Sequence, residues 1–202
     1  MAMIGLRNGL EDLWVRAYSR LARRSFRQCG PLTLHPSARI DHPECIVVEG
    51  ANIGRLVWLY AMVEDSAGRT YHPDLRIGAG TVIGDFCQIT CAEHVHVGAR
   101  VLFTRGVLVT DSIHVYDDPR LPVLEQGLRT RPTSIGEGCW LGNHSAVVGC
   151  SVGRHCVVGA NAVVTRDVPD YCCVAGAPAR VVRRLNEQTG VWDRVECREE
   201  AG

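Results

Sequence analysis

The sequence predicts an all-β solenoid of stacked parallel strands, and three observations carry that prediction. Aliphatic residues recur every six positions in phased runs: Ile77, Ile83, Ile89 and Val95; Val97, Phe103 and Val109; Ile135, Leu141 and Val147; Val152, Val158 and Val164. Ile40 with Ile46, and Ile53 with Leu59, look like weaker earlier copies. A helix repeats at about 3.6 residues and a strand at about 2, so a period of six marks a short strand closed by a turn. Glycine follows the aliphatic anchor at Gly54, Gly78, Gly84, Gly98, Gly136, Gly142, Gly153 and Gly159, where a turning backbone benefits from the missing Cβ. Four residues past the anchor stands a small or β-branched side chain: Val57, Val63, Thr81, Cys87, Val101, Val107, Cys139, Ser145, Cys156 and Ala162. Cys87, Cys139 and Cys156 thereby read as small buried hydrophobes rather than nucleophiles.

Residues 31–111 and 133–175 would wind into roughly seven coils of about eighteen residues, with the anchors stacked in columns along the axis. Three units follow: an N-terminal helix and cap over 1–30, the solenoid over 31–181 with a loop at 110–134, and a C-terminal extension over 182–202. In the first unit Leu10, Leu13, Trp14, Ala17, Leu21 and Phe26 fall at spacings near three and four, interspersed with Arg16, Arg20, Arg23, Arg24 and Arg27. That pattern is an amphipathic basic helix. Its favoured role is to cover the open first coil. Contact with an anionic membrane surface or a lipid-linked substrate is the less favoured alternative. The extension has Trp192 as its one large anchor.

Composition narrows the function. All 22 basic residues are Arg and are matched by 22 Asp and Glu, so the chain is formally neutral and no nucleic-acid partner is expected. No apolar run approaches the roughly 18 residues needed to cross a bilayer. Ten cysteines in 202 residues, none in a C-x-x-C pair, suit neither a disulfide scaffold nor a structural zinc, and the first ten residues do not read as a secretory signal. A cytoplasmic protein is expected. With no lysine, base, Schiff-base and phosphate-binding roles fall to other residue types.

Breaks in the period are where a rigid solenoid can carry chemistry. Four occur: a loop over 64–74, a two-residue slip from Val95 to Val97, a repeat one residue short between Val147 and Val152, and the long excursion over 110–134. The excursion concentrates Asp111, His114, Tyr116, Asp117, Asp118, Glu125 and Gln126, and the repeat resumes in phase behind it. His114 is the leading candidate for catalysis, because imidazole can accept a proton from a hydroxyl or an amine near neutral pH. Asp111, three residues earlier, is a candidate to orient or charge-stabilise the ring.

The stretches VTDSIHVYDDP, IGEGCWLGN, VVGANAVVTRDVP and VAGAPARVVR occur in that order between residues 77 and 183. The series resembles the hexapeptide-repeat sugar O-acetyltransferases, including galactoside and maltose acetyltransferases and polysaccharide-biosynthesis relatives. The resemblance implies a left-handed parallel β-helix, acetyl-CoA as co-substrate without a metal, a sugar-like acceptor, and a homotrimer with its sites between subunits. It places the catalytic histidine on His114. Acetyl-CoA contacts fall on Trp140, Gly142, Asn143, Ala160, Thr165, Arg166, Arg180 and Arg183, with guanidinium groups suited to the nucleotide phosphates. Arg166 stands where the family often has lysine, and Gly84 and Ala92 replace its acceptor-binding Asn and Asp. Glu93, Tyr116 and Gln126 are the acceptor contacts expected instead. Backbone N–H groups near Gly142 and Asn143 would stabilise the oxyanion.

Three kinds of rival stay open. One is a non-catalytic solenoid used for assembly, and another is acyl transfer to an amino sugar or to an antibiotic. The third is a γ-type carbonic anhydrase with zinc on His94, His96 and His114, against which the long acidic excursion and the AGAPAR segment count.

Overall fold

A computed structural model of the chain describes residues 2–195, with side chains from residue 12 onward. Helix α1, Ala2–Ala22, precedes three parallel sheets. Face 1 contains strands Ile46–Val48, Asp74–Ile77, His94–Val97 and Thr133–Ile135; face 2 contains Ala51–Ile53, Thr81–Ile83, Leu102–Phe103 and Trp140–Leu141; face 3 contains Trp58–Ala61, Gln88–Cys91, Leu108–Thr110 and Ala146–Val148. The chain visits the faces in rotation. Each strand pairs in parallel with its counterpart one coil on, in registers such as Leu75 with Val95, Ile83 with Phe103 and Ile89 with Val109.

Those registers stack the anchors into the predicted columns. Ile77, Ile83, Ile89, Phe103, Val109, Ile135, Leu141 and Val147 are all buried in one continuous core. At about 1.5–3 kcal/mol for each fully buried aliphatic side chain, this column is the main source of stability. The small-residue column is buried too, except Val63, which lies in a loop. Burial pushes the Cys87 thiol up to about 11, as expected of a core cysteine and not of a nucleophile.

The glycine column has a different cause from the one the turns suggested. A Cβ on Gly78 or Gly142 would lie 2.6 Å from the backbone nitrogen of Ala99 or Ala160 in the next coil, so close stacking excludes a side chain. The left-handed backbone falls two residues later, on Phe86, Arg100, His144 and His155 among others.

Helix α1 corrects the expected packing. Its buried side is Val15, Tyr18, Ser19 and Ala22; Ser19 Oγ accepts the Leu34 N–H at 2.8 Å, pinning the helix to the first coil. Leu13, Trp14, Ala17 and Leu21 are exposed, and the Leu10 side chain lies outside the described residues. Of the predicted apolar set, Phe26 joins the core, beyond the helix end. At the other terminus, strands Cys172–Gly176, Ala179–Asn186 and Val191–Arg194 form an antiparallel extension of face 2. The expected boundary at 182 therefore falls inside a strand, and 196–202 lie outside the described residues. Among the described residues no helix is long and apolar enough to cross a membrane.

Candidate active site

Val95 and Val97, where the sequence showed a slip, are both buried inside the face 1 strand, so its two extra residues enter at 92–93. All four breaks then fall on the same edge of the prism, where the chain passes from face 3 back to face 1. Segments 62–73, 92–93, 111–132 and 149–150 are the successive connections there. Connections at the other two edges are short, and most begin on glycine. One edge therefore gathers every departure that the linear sequence scatters over ninety residues.

The long excursion leaves this edge as a β-hairpin. Strands Ser112–His114 and Leu128–Thr130 pair antiparallel, with His114 opposite Leu128, and the Val115 N–H donates to the Gly127 carbonyl at 2.9 Å. The His114 ring is exposed and makes no hydrogen bond or ion pair among the described residues. A short helix, α2 (Val123–Gln126), folds the tip. Arg69, from the neighbouring 62–73 loop, donates to the Glu125 and Leu124 carbonyls, each at 3.0 Å, and to Asp65 at 2.7 Å. Two loops of one edge are thereby locked together. Burial raises the Asp65 carboxyl, but hydrogen bonds from Arg69, the Ala67 N–H and the Tyr71 hydroxyl outweigh it, and its pKa is lowered to about 2.

Asp111 does not orient His114. Its carboxylate is buried and accepts three backbone N–H groups, from Ala92 at 2.9 Å, Glu93 at 2.7 Å and His94 at 2.8 Å. Residues 92–94 turn the chain into the face 1 strand, and the Asp111 carboxylate satisfies their N–H groups in place of a backbone partner. Asp111 is thus a positioning residue that ties the Glu93 turn to the root of the His114 hairpin. Gln126 is likewise occupied: its side-chain amide accepts from the Asp118 N–H at 3.0 Å and donates to the Asp118 and Leu121 carbonyls at 2.9 Å, closing the excursion on itself. Glu93 is half-buried and Tyr116 exposed, and the side chains of both are without partners among the described residues.

The residues expected to meet acetyl-CoA divide. Thr165 and Arg166 are exposed on the same edge as His114, and Thr165 shares a cavity of about 330 Å³ under the hairpin with Ser112, Ile113 and Arg131. Gly142, Asn143 and Ala160 stand on the opposite margin of face 3, with Trp140 half exposed on face 2 between Leu102 and Val157. Arg180 and Arg183 lie on the antiparallel extension of face 2. A single chain therefore does not bring the second group to His114. The Gly142 N–H is already bound to the Val158 carbonyl at 2.8 Å, which corrects its expected oxyanion role and leaves Asn143 the N–H in question. Asn143 Oδ1 also accepts the Arg105 N–H at 3.0 Å, a corner-stacking bond.

Sequence reasoning missed two features. A cavity of about 710 Å³ runs along the glycine edge of face 1 past Arg76, His96, Ser134 and Ser151, and none of the residues expected to serve acetyl transfer lines it. Asp74, His94 and His96 bring donor atoms within 4.8 Å of one another, but Asp74 is held by the guanidinium groups of Arg27 and Arg76, and His114 is not part of the group. One chain thus does not assemble the three-histidine set of the anhydrase alternative.

Three parallel faces with a six-residue step define a solenoid of hexapeptide repeats. The family model described as the hexapeptide repeat of succinyl-transferase matches residues 132–166. Among relatives, Rv3034c of Mycobacterium tuberculosis, named as an acetyltransferase, is 35% identical over 63% of this chain and 44% of its own length. WbbJ of Escherichia coli, named for O-acetyl transfer in lipopolysaccharide biosynthesis, is 32% identical over 55% of this chain and 61% of its own. The chain thus spans roughly half the length of these two relatives. A solved structure of AntD, an N-acyltransferase from Bacillus cereus in complex with dTDP and 3-hydroxybutyryl-CoA, shares the fold with a TM-score of 0.70 at 17% identity, over 84% of this chain and 89% of that one. These matches bear out the resemblance to the hexapeptide-repeat acetyltransferases.

Proposed function

We propose that the chain is an acetyl-CoA-dependent acetyltransferase acting on a hydroxyl of a sugar or sugar-containing metabolite, with His114 as general base. The observation that carries this reading is the exposed, unpaired imidazole on a hairpin rooted at the one edge where all the breaks converge. The names of the relatives supply the chemical class. His114 takes the proton of the acceptor hydroxyl as that oxygen attacks the thioester carbonyl. The tetrahedral intermediate then collapses, and the departing CoA thiolate recovers the proton from the imidazolium. No acyl-enzyme forms, and positioning supplies much of the rate. The Asn143 N–H is the oxyanion donor in this scheme.

His114 and the Asn143 group lie on opposite margins of face 3, so the same reading requires a second copy. A left-handed winding and a three-fold trimer, with acetyl-CoA between neighbours, follow as parts of the proposal. Arg166, Arg180 and Arg183 serve the nucleotide phosphates, Trp140, Ala160 and Thr165 line the donor channel, and Glu93 and Tyr116 contact the acceptor. Nine described cysteines, none paired, accord with a reducing cytoplasm. The test is thiol release from acetyl-CoA against free sugars, nucleotide sugars, amino sugars and antibiotics. Turnover with a hydroxyl acceptor is expected; turnover confined to amines moves the assignment to N-acetylation, and none with any acceptor defeats it.

A further inference from the structure

The apolar stripe of α1 is left outward by the fold. The helix packs through Val15, Tyr18, Ser19 and Ala22, yet Leu13, Trp14 and Leu21 are 64%, 71% and 66% exposed, aligned with exposed Ala17 at spacings of three and four. Arg16 and Arg20, four residues apart, run along one flank of this stripe, and Arg24 follows just past the helix end. None of the three has an acidic partner among the described residues. Charge is distributed to match: residues 1–27 contain six Arg against Glu11 and Asp12, a net of +4, whereas the rest of the chain contains sixteen Arg against twenty acids, a net of −4. A helix that only closed the first coil would have no use for a second apolar face beside a guanidinium ribbon.

We infer that α1 is an interfacial helix that seats the protein on an anionic lipid surface. Leu13, Trp14, Ala17 and Leu21 enter the headgroup and acyl boundary, and Arg16, Arg20 and Arg24 meet lipid phosphates. Ser19, bonded to Leu34, holds the helix to the first coil with the stripe facing outward. The net charge of +4 over residues 1–27 matches an anionic lipid surface better than a second copy of the same basic stripe. This inference is independent of the acetyltransferase reading.

The test is cosedimentation of the full-length chain with vesicles. Vesicles of equal parts phosphatidylglycerol and phosphatidylcholine are expected to pellet the protein at low salt and release it as salt rises, and pure phosphatidylcholine to leave it in solution. Trp14→Asp with Leu21→Asp should lower the partition at least about tenfold, and Arg16→Glu with Arg20→Glu should lower it similarly on anionic vesicles only. Both pairs should leave melting temperature and sedimentation coefficient unchanged, and Trp14→Ser serves should either pair fail to fold. Wild-type protein that stays in solution with the anionic vesicles overturns the inference. So does undiminished binding by the variants, or a drop in oligomer mass on changing the stripe, which would assign the stripe to a second copy.

Discussion

Two of the prism's edges and the third obey different rules. At the edges between faces 1 and 2, and 2 and 3, each turn is short, most begin on glycine, and backbone packs on backbone of the next coil, as Gly98 does on Glu137. At the edge between faces 3 and 1 the connections range from two residues to the long hairpin, and side chains do the joining: Asp111 binds three N–H groups, and Arg69 binds two carbonyls. Stiffness on two edges permits variation on the third. Because the hydrogen-bond ladder and core column continue behind the loops, an insertion there disturbs nothing that holds the coils together.

The largest expected effect comes from removing the chemistry at the variable edge. His114→Ala should lower kcat by about 10²–10⁴ while leaving the KM for acetyl-CoA nearly unchanged, as read by thiol release. Full activity in that variant would mean the edge is not the chemical one. Asp111→Asn should act on stability instead, costing about 2–3 kcal/mol in urea unfolding, with the kcat of the folded protein falling far less than for His114→Ala. Equal losses of kcat would restore Asp111 to a direct role.

A pair of glycine substitutions sharpens the contrast between edges. Gly98→Ala places a Cβ 2.7 Å from the Glu137 nitrogen and should cost about 1–3 kcal/mol or more, since both sides of the contact are backbone. Gly68→Ala, in the 62–73 loop, meets nothing nearer than 3.8 Å and has only its positive φ of 77° against it, about 1 kcal/mol. The smallest effect is on pH. Because the Asp65 pKa is lowered in the folded state, its contribution is complete above the ordinary 3.8 and disappears as pH falls through about 2. Urea midpoints of wild type and Asp65→Asn should differ by a constant amount from pH 8 to about 4 and converge on approach to pH 2.

Much of the fold was legible because a six-residue period is a one-dimensional signal with a local cause: each anchor buries in the same way. The site was legible only in part. His114 could be picked from its place in a break, but Asp111 looked like a partner for the ring by sequence proximity alone, whereas its actual partners, residues 92–94, lie a full coil earlier. The helix differs from its pattern for a related reason. Its strongest apolar stripe, Leu13 to Leu21, predicts the packed face, yet contact with the first coil uses the weaker set around Ser19.

By itself the sequence determined the repeating step, the buried columns and the positions where the step fails, since these depend on hydrophobic spacing along the chain. Only the tertiary structure decided that all the failures share one edge, that Asp111 is occupied by a neighbouring turn, and which side of α1 meets water. Those facts depend on how many coils separate two residues and on which face each strand occupies, and close approach across coils is a property of the stack that no single stretch of chain contains.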